Sequence, residues 1–166
     1  MQWPYSHGAF NRHPLPTNPS MQRLAVLALD VEGTLVSNGV SQFARPGLAP
    51  FLAACRELAD SLILFTSCNP VIIDKIQRLL VAEGTAPPWF VNLRILYSPD
   101  GVKDLERLGH SLERVAILDD QPTTPTEQRH RWVCVPQFQP PFSDCDDGLS
   151  VALKSLRELL ATRGAT

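Results

Sequence analysis

Three short apolar runs, each closed by acids or hydroxyls, constrain this chain more than any other feature of its 166 residues. "LAVLALD" ends on Asp30, "LILFTS" on Thr66 and Ser67, and "RVAILDD" on Asp119 and Asp120. A run of about six apolar residues without alternation is what a strand buried on both faces requires. Between the runs, apolar residues recur at helical spacing. Leu48, Phe51, Leu52, Cys55 and Leu58 do so in "RPGLAPFLAACRELADS", which Pro46 and Gly47 open. "PVIIDKIQRLLVAEG" is a second amphipathic helix, stopped by Gly84. "RILYS" reads as a weaker strand, "GVKDLERLG" as a short helix or turn, "RWVCVPQF" as a further strand and "GLSVALKSLRELLATRG" as a closing helix. Strands alternating with helices imply an α/β fold, a doubly wound parallel sheet with helices on both faces. One domain is expected over residues 21–166, with no large cap domain. Residues 1–20 hold four prolines and no apolar period, and read as an irregular arm.

The charge balance narrows the partners. A formal net charge of -2 and a pI near 6.1 give no reason to expect nucleic acid or an anionic membrane. No apolar run is long enough to span a bilayer, and no basic start followed by an apolar core marks a secretory signal. Cys55, Cys68, Cys134 and Cys145 form no C-x-x-C pair, so reduced structural thiols are expected. A cytoplasmic location is the resulting expectation.

In an open α/β sheet, ligands bind outside the carboxyl ends of the strands. Asp30, Glu32, Thr66, Ser67, Asp119 and Asp120 all fall at that edge. Such a set suits phosphoryl chemistry. A carboxylate can attack phosphorus and carry the phosphoryl group. A hard ion such as Mg2+ prefers carboxylate oxygens and would offset repulsion from an anionic substrate. Lys103 is the candidate to neutralise the transferring group, and Thr66 to hold phosphate oxygens. Glu32 can move the proton. Gly33 lets the backbone turn sharply beside Asp30.

The order "DVEGTL", "LFTS", a lysine and "ILDD" resembles the four motifs of the haloacid dehalogenase superfamily of phosphotransferases. The flanks "RPGLAPFLAACRELADSLILFTS" and "VKDLERLGHSLERVAILDDQP" resemble its small C-terminal-domain phosphatase branch, the NLI-interacting-factor type. The closing "VPQFQPPFSDCDDGLSVALKSLRELL" is similar to that branch's final segment, so the likeness covers residues 24–160. By position it implies Asp30 as nucleophile, Glu32 as general acid and base, and Thr66 with Ser67 and Lys103 around the phosphate. It implies a Mg2+ site from Asp30, Glu32 through its carbonyl, Asp119 as a supporting acid and Asp120. The implied substrate is a phosphorylated protein side chain or metabolite.

Two positions depart from that pattern. Glu32 stands where the second acid is usually Asp; the enolase-phosphatase branch has Glu there, in a similar "D-x-E-G-T". Asp119-Asp120 stands where the nearer branch commonly has Asp-Asn. The segment from Thr66 to Lys103 leaves little room for the hairpin that some relatives use to grip a peptide. Other readings remain open at this level. Lys103 could pair with Glu106 on a solvated helix face, and "DCDD" (Asp144 to Asp147) could cap the last helix. A phosphate-binding module without turnover, or a scaffold recruiting partners through the arm, would keep the same fold.

Overall fold

The computed structural model describes residues 23–162. The expected arm over residues 1–20 lies outside them. Five strands form one sheet, β1 (Leu24–Leu29), β2 (Ala59–Thr66), β3 (Arg94–Tyr97), β4 (Val115–Asp119) and β5 (Trp132–Cys134). Their order is β3-β2-β1-β4-β5, and every pairing is parallel. The winding reverses direction between β1 and β4, which opens a crevice at their carboxyl ends. The helices are α1 (Leu48–Leu58), α2 (Pro70–Ala82) and α3 (Gly148–Ala161). No helix among the described residues is long and apolar enough to cross a membrane.

The strands' period of two divides the core. Leu62 and Leu64 of β2, and Ala116 and Leu118 of β4, face a layer containing residues of all three α-helices. Ile63, Phe65, Val115 and Ile117 face the other way, against Leu105, Leu108 and Leu112. Helices therefore cover both faces, but unequally. The second face is closed by 3-10 turns, Leu105–Leu108 and Leu112–Arg114. No inserted domain interrupts the described residues between Thr66 and Lys103, where only α2, a 3-10 turn over Pro88–Asn92 and β3 intervene.

Boundaries differ from the sequence reading where pairing overrides local pattern. The helical spacing runs on to Ser61, yet α1 stops at Leu58 and Ala59 is already extended. Parallel registration of Leu24 with Ala59 and of Val26 with Ser61 recruits these residues into β2. Conversely β5 is only three residues long. Pro136 follows soon after, without an N–H to continue a ladder.

"DCDD" has a different role from the expected helix cap. Asp147 occupies the N-cap position of α3 but makes no side-chain cap. Asp146 instead takes a bidentate bond from the buried Arg45, Nε at 2.6 Å and Nη2 at 3.1 Å, and also accepts from Gly148 N at 3.2 Å. A Cβ on Gly148 would lie 1.9 Å from Arg45 Nη2, so glycine makes room for the guanidinium. Arg45→Met is expected to destabilise the fold by about 3 kcal/mol, because it leaves Asp146 with an unpaired charge. Urea unfolding checks this. The Arg45 bond holds the Asp146 carboxyl below its ordinary value. The stabilisation is thus present above the unfolded-state pKa and disappears as pH falls through the folded one. The gap between wild type and variant should close in acid.

Candidate active site

The site assembles where β1 and β4 end side by side. Asp30 directly follows β1, and its N–H donates to Leu118 O at 2.9 Å, stitching it to β4. Asp119 is the last residue of β4, and Asp120 follows. One oxygen from each of Asp30, Asp119 and Asp120 lies within 4.8 Å of the others. Residues about 90 positions apart in sequence thus meet because parallel registration sets Leu29 beside Leu118.

Lys103 enters this cluster from the far side of the chain reversal after β3. Its N–H donates to Thr123 O at 3.0 Å, which anchors the backbone. Its ammonium reaches Asp30 Oδ1 at 2.5 Å and Asp119 Oδ2 at 2.7 Å. The 3-10 turn begins only at Leu105, with Asp104 capping it by accepting from Glu106 N. Lys103 therefore lies outside any helical face, 2% exposed. The solvated pairing with Glu106 is not formed.

Burial and charge set the protonation of the group. Burial pushes the Asp30 carboxyl up to about 7, while the Lys103 ammonium pulls it down. Burial would lower Lys103, but the two carboxylates beside it prevail and hold its pKa above the ordinary lysine value. Burial and the charge of Asp119 raise Asp120. Asp119 is fully committed: Oδ2 also accepts from Thr123 Oγ1 at 2.5 Å, and Oδ1 from Gln121 N at 2.9 Å. Asp120 is the opposite case, since its Oδ2 is buried with no hydrogen-bond partner. A buried, unpaired carboxylate oxygen is costly unless a cation completes it. The donor set, all carboxylate oxygen, fits a hard divalent ion.

Two residues missed by the sequence reading orient Asp120. Thr34, fully buried, donates through Oγ1 to Asp120 Oδ1 at 3.4 Å and accepts from Asp120 N at 3.2 Å. Arg45 Nη1 in turn donates to Thr34 O at 3.2 Å. Thr34 was within reach of the sequence, four residues after Asp30 in the same motif; nothing local marks Arg45. Gly33 has φ +78°, and a Cβ there would meet Asp120 Oδ2 at 2.7 Å. The turn and the close approach both require glycine.

Thr66 is buried at the end of β2, where its hydroxyl accepts from Cys68 N at 3.0 Å. Ser67 is exposed beside it, and Asn69 caps α2 by accepting from Val71 N at 2.9 Å. Glu32 is half-buried and its carboxylate lies outside the three-acid cluster. It accepts from Gly39 N and contacts the Cys68 thiol. Burial, then the Glu32 charge, raises the Cys68 pKa. The raised value favours the neutral thiol over the thiolate.

The sequence model of NLI interacting factor-like phosphatases matches residues 18–164. No curated protein matches by sequence. Among solved structures, the chain is similar to the fission yeast RNA polymerase II CTD phosphatase Fcp1 bound to beryllium fluoride. The identity is 17% and the TM-score 0.52, over 87% of this chain and 55% of that one. A second structure, of Fcp1 described as an essential RNA polymerase II CTD phosphatase, gives 18% identity and a TM-score of 0.53. It covers 87% of this chain and 54% of the other. The chain thus spans about half the length of these structures, and at such identity the likeness shows the fold.

Proposed function

The chain belongs to the NLI interacting factor-like phosphatases of the haloacid dehalogenase superfamily, and we propose that it hydrolyses phosphomonoesters through a phospho-Asp30 intermediate with Mg2+. One observation carries the reading. Asp30, Asp119 and Asp120 converge around Lys103, and a buried oxygen of Asp120 is left unpaired.

The chemistry follows from the residues. Lys103 engages Asp30 by Oδ1, leaving the other carboxylate oxygen to attack phosphorus. The ester P–O bond breaks, and Glu32 donates a proton to the leaving oxygen. Water then attacks the phosphorus of phospho-Asp30 while Glu32 takes its proton, which releases phosphate and restores the carboxylate. Lys103 offsets charge on the transferring group. Thr66 and Ser67 bound the phosphate position. Mg2+, held by the side chains of Asp30 and Asp120, would polarise phosphoryl oxygens and reduce repulsion by the acids. Asp119 acts by orienting Lys103. With no inserted cap among the described residues, a phosphorylated protein side chain is the preferred substrate. A bulky phosphometabolite is the lesser one.

The test is p-nitrophenyl phosphate turnover with Mg2+ and after chelation. Turnover with Mg2+ that chelation abolishes supports the reading; no turnover with any divalent ion overturns it. Thr34→Val should weaken Mg2+ binding by roughly tenfold, as loss of a residue that orients a metal ligand does. Titration calorimetry measures this, and Thr34→Ser should restore it.

The tie between Glu32 and Gly39 favours a second reading, a phosphate-binding module with little turnover. Glu32→Gln separates the two. In a working enzyme it lowers kcat by roughly 100-fold and leaves KM nearly unchanged, because proton transfer belongs to the transition state. In the module it changes neither.

A further inference from the structure

The edge of the sheet opposite the acid cluster holds a cavity of about 390 Å³. Arg23, Arg56 and Arg94 line it, at the start of β1, the end of α1 and the start of β3. Asp60 is the one acid among the described residues of its wall. That acid is already neutralised, by Arg23 Nε at 2.9 Å and Arg114 Nη2 at 3.4 Å. Arg23 is committed further, through Nη2, to the carbonyls of Ala59 at 2.6 Å and Arg56 at 3.1 Å. The other two arginines are not committed. The Arg56 guanidinium lies 4.7 Å over the Trp89 ring and donates no hydrogen bond among the described residues. Arg94 is exposed, with neither hydrogen bond nor ion pair among them.

We propose that this pocket is a second binding site, and that it takes a short acidic segment of a protein partner. A guanidinium presents a planar fork of donors that matches a carboxylate. Stacking on Trp89 fixes the Arg56 plane while leaving its edge free to donate. The cavity is far larger than one small anion fills, and its walls include Leu62, Leu93 and Trp89, which suit the carbon chain of a peptide. Positive charge is concentrated here against a chain of net charge -2, which limits attraction to a short acidic stretch rather than a long phosphate backbone. The first 22 residues contain no Asp or Glu, so the segment preceding Arg23 does not supply the complementary charge. At ~3.3 Å per residue, the length of β1 separates the pocket from Asp30 by about 20 Å. The site is therefore independent of whether Asp30 turns over phosphate.

The experiment measures fluorescence anisotropy of a labelled peptide of six consecutive glutamates on the full chain. Saturable binding is expected that weakens as salt rises. The Arg56→Glu, Arg94→Glu double variant should lose at least roughly tenfold in affinity. Its circular dichroism and its p-nitrophenyl phosphate turnover should match wild type, since neither arginine touches the acid cluster. The single variant Arg94→Gln, at an exposed position without partners, should show a smaller loss in the same direction. Absence of binding overturns the proposal, as does equal binding by the double variant or by a peptide of six lysines. An oligothymidylate that displaces the peptide and binds more tightly would overturn it in favour of a nucleic-acid site.

Discussion

Asp30→Asn is expected to lower p-nitrophenyl phosphate turnover by three orders of magnitude or more, on the scale that loss of a nucleophile carries. The amide keeps the shape of the carboxylate but does not attack phosphorus. Stability gives a second readout, and its sign is fixed by linkage. In the metal-free protein, burial raises the Asp30 carboxyl from 3.8 to about 7. Between those values the folded state holds a proton that the unfolded state has lost, so this residue's contribution to stability falls as pH rises. Asn does not ionise and should remove that decline. Without metal, the variant should therefore melt no lower than wild type at pH above about 7. Mg2+ requires the ionised carboxylate, so its apparent affinity for wild type should rise with pH and level off above about 7. The variant's Mg2+ affinity should be lower and flatter with pH. Full turnover by a folded Asp30→Asn protein would remove Asp30 as nucleophile.

Lys103→Met should damage both the fold and the reaction. The ammonium links Asp30 and Asp119 at 2.5 and 2.7 Å in a buried site. Removing it leaves carboxylates without their counter-charge, a loss of about 3 kcal/mol or more. Asp119 retains Thr123 Oγ1 and Gln121 N, whereas Asp30 has a proton as its way out. The destabilisation should therefore be milder near pH 5 than near pH 8, where Asp30 is pressed to ionise. Turnover should fall by roughly 100-fold or more, through loss of charge stabilisation at the phosphoryl group. Saturating Mg2+ should recover part of the melting temperature but not the turnover, because an ion beside Asp120 does not replace a donor at Asp30 Oδ1. Denaturant melts with and without Mg2+, paired with the phosphatase assay, test this. A variant of unchanged stability and turnover would show that the lysine serves neither purpose.

Much of the fold was legible because a parallel sheet leaves a plain mark on sequence. β1, β2 and β4 are apolar on both faces, so they appear as unbroken runs ending at their ligand edge. The weaker elements were less legible. β3 and β5 are edge strands with mixed exposure, and their extent is decided by the neighbour they pair with. Local pattern alone misplaces the α1–β2 junction, because Ala59 to Ser61 fit a helical pattern locally and a parallel ladder globally. At the candidate site, the acids announced themselves as charges on the ends of apolar runs. Their partners did not. Thr123, Arg45 and Gly39 are ordinary loop residues whose importance depends on what lies across from them.

The strand pattern alone determined an α/β sheet, and it determined which edge would carry the acids, because burial on two faces and solvation at a strand end are written residue by residue. Only the tertiary structure decided that Lys103 bridges Asp30 and Asp119, that Asp120 keeps a free oxygen, and that Asp146 answers Arg45 rather than a helix end. Those outcomes depend on distances between segments far apart in the chain, and such distances exist only after strand order and register have closed.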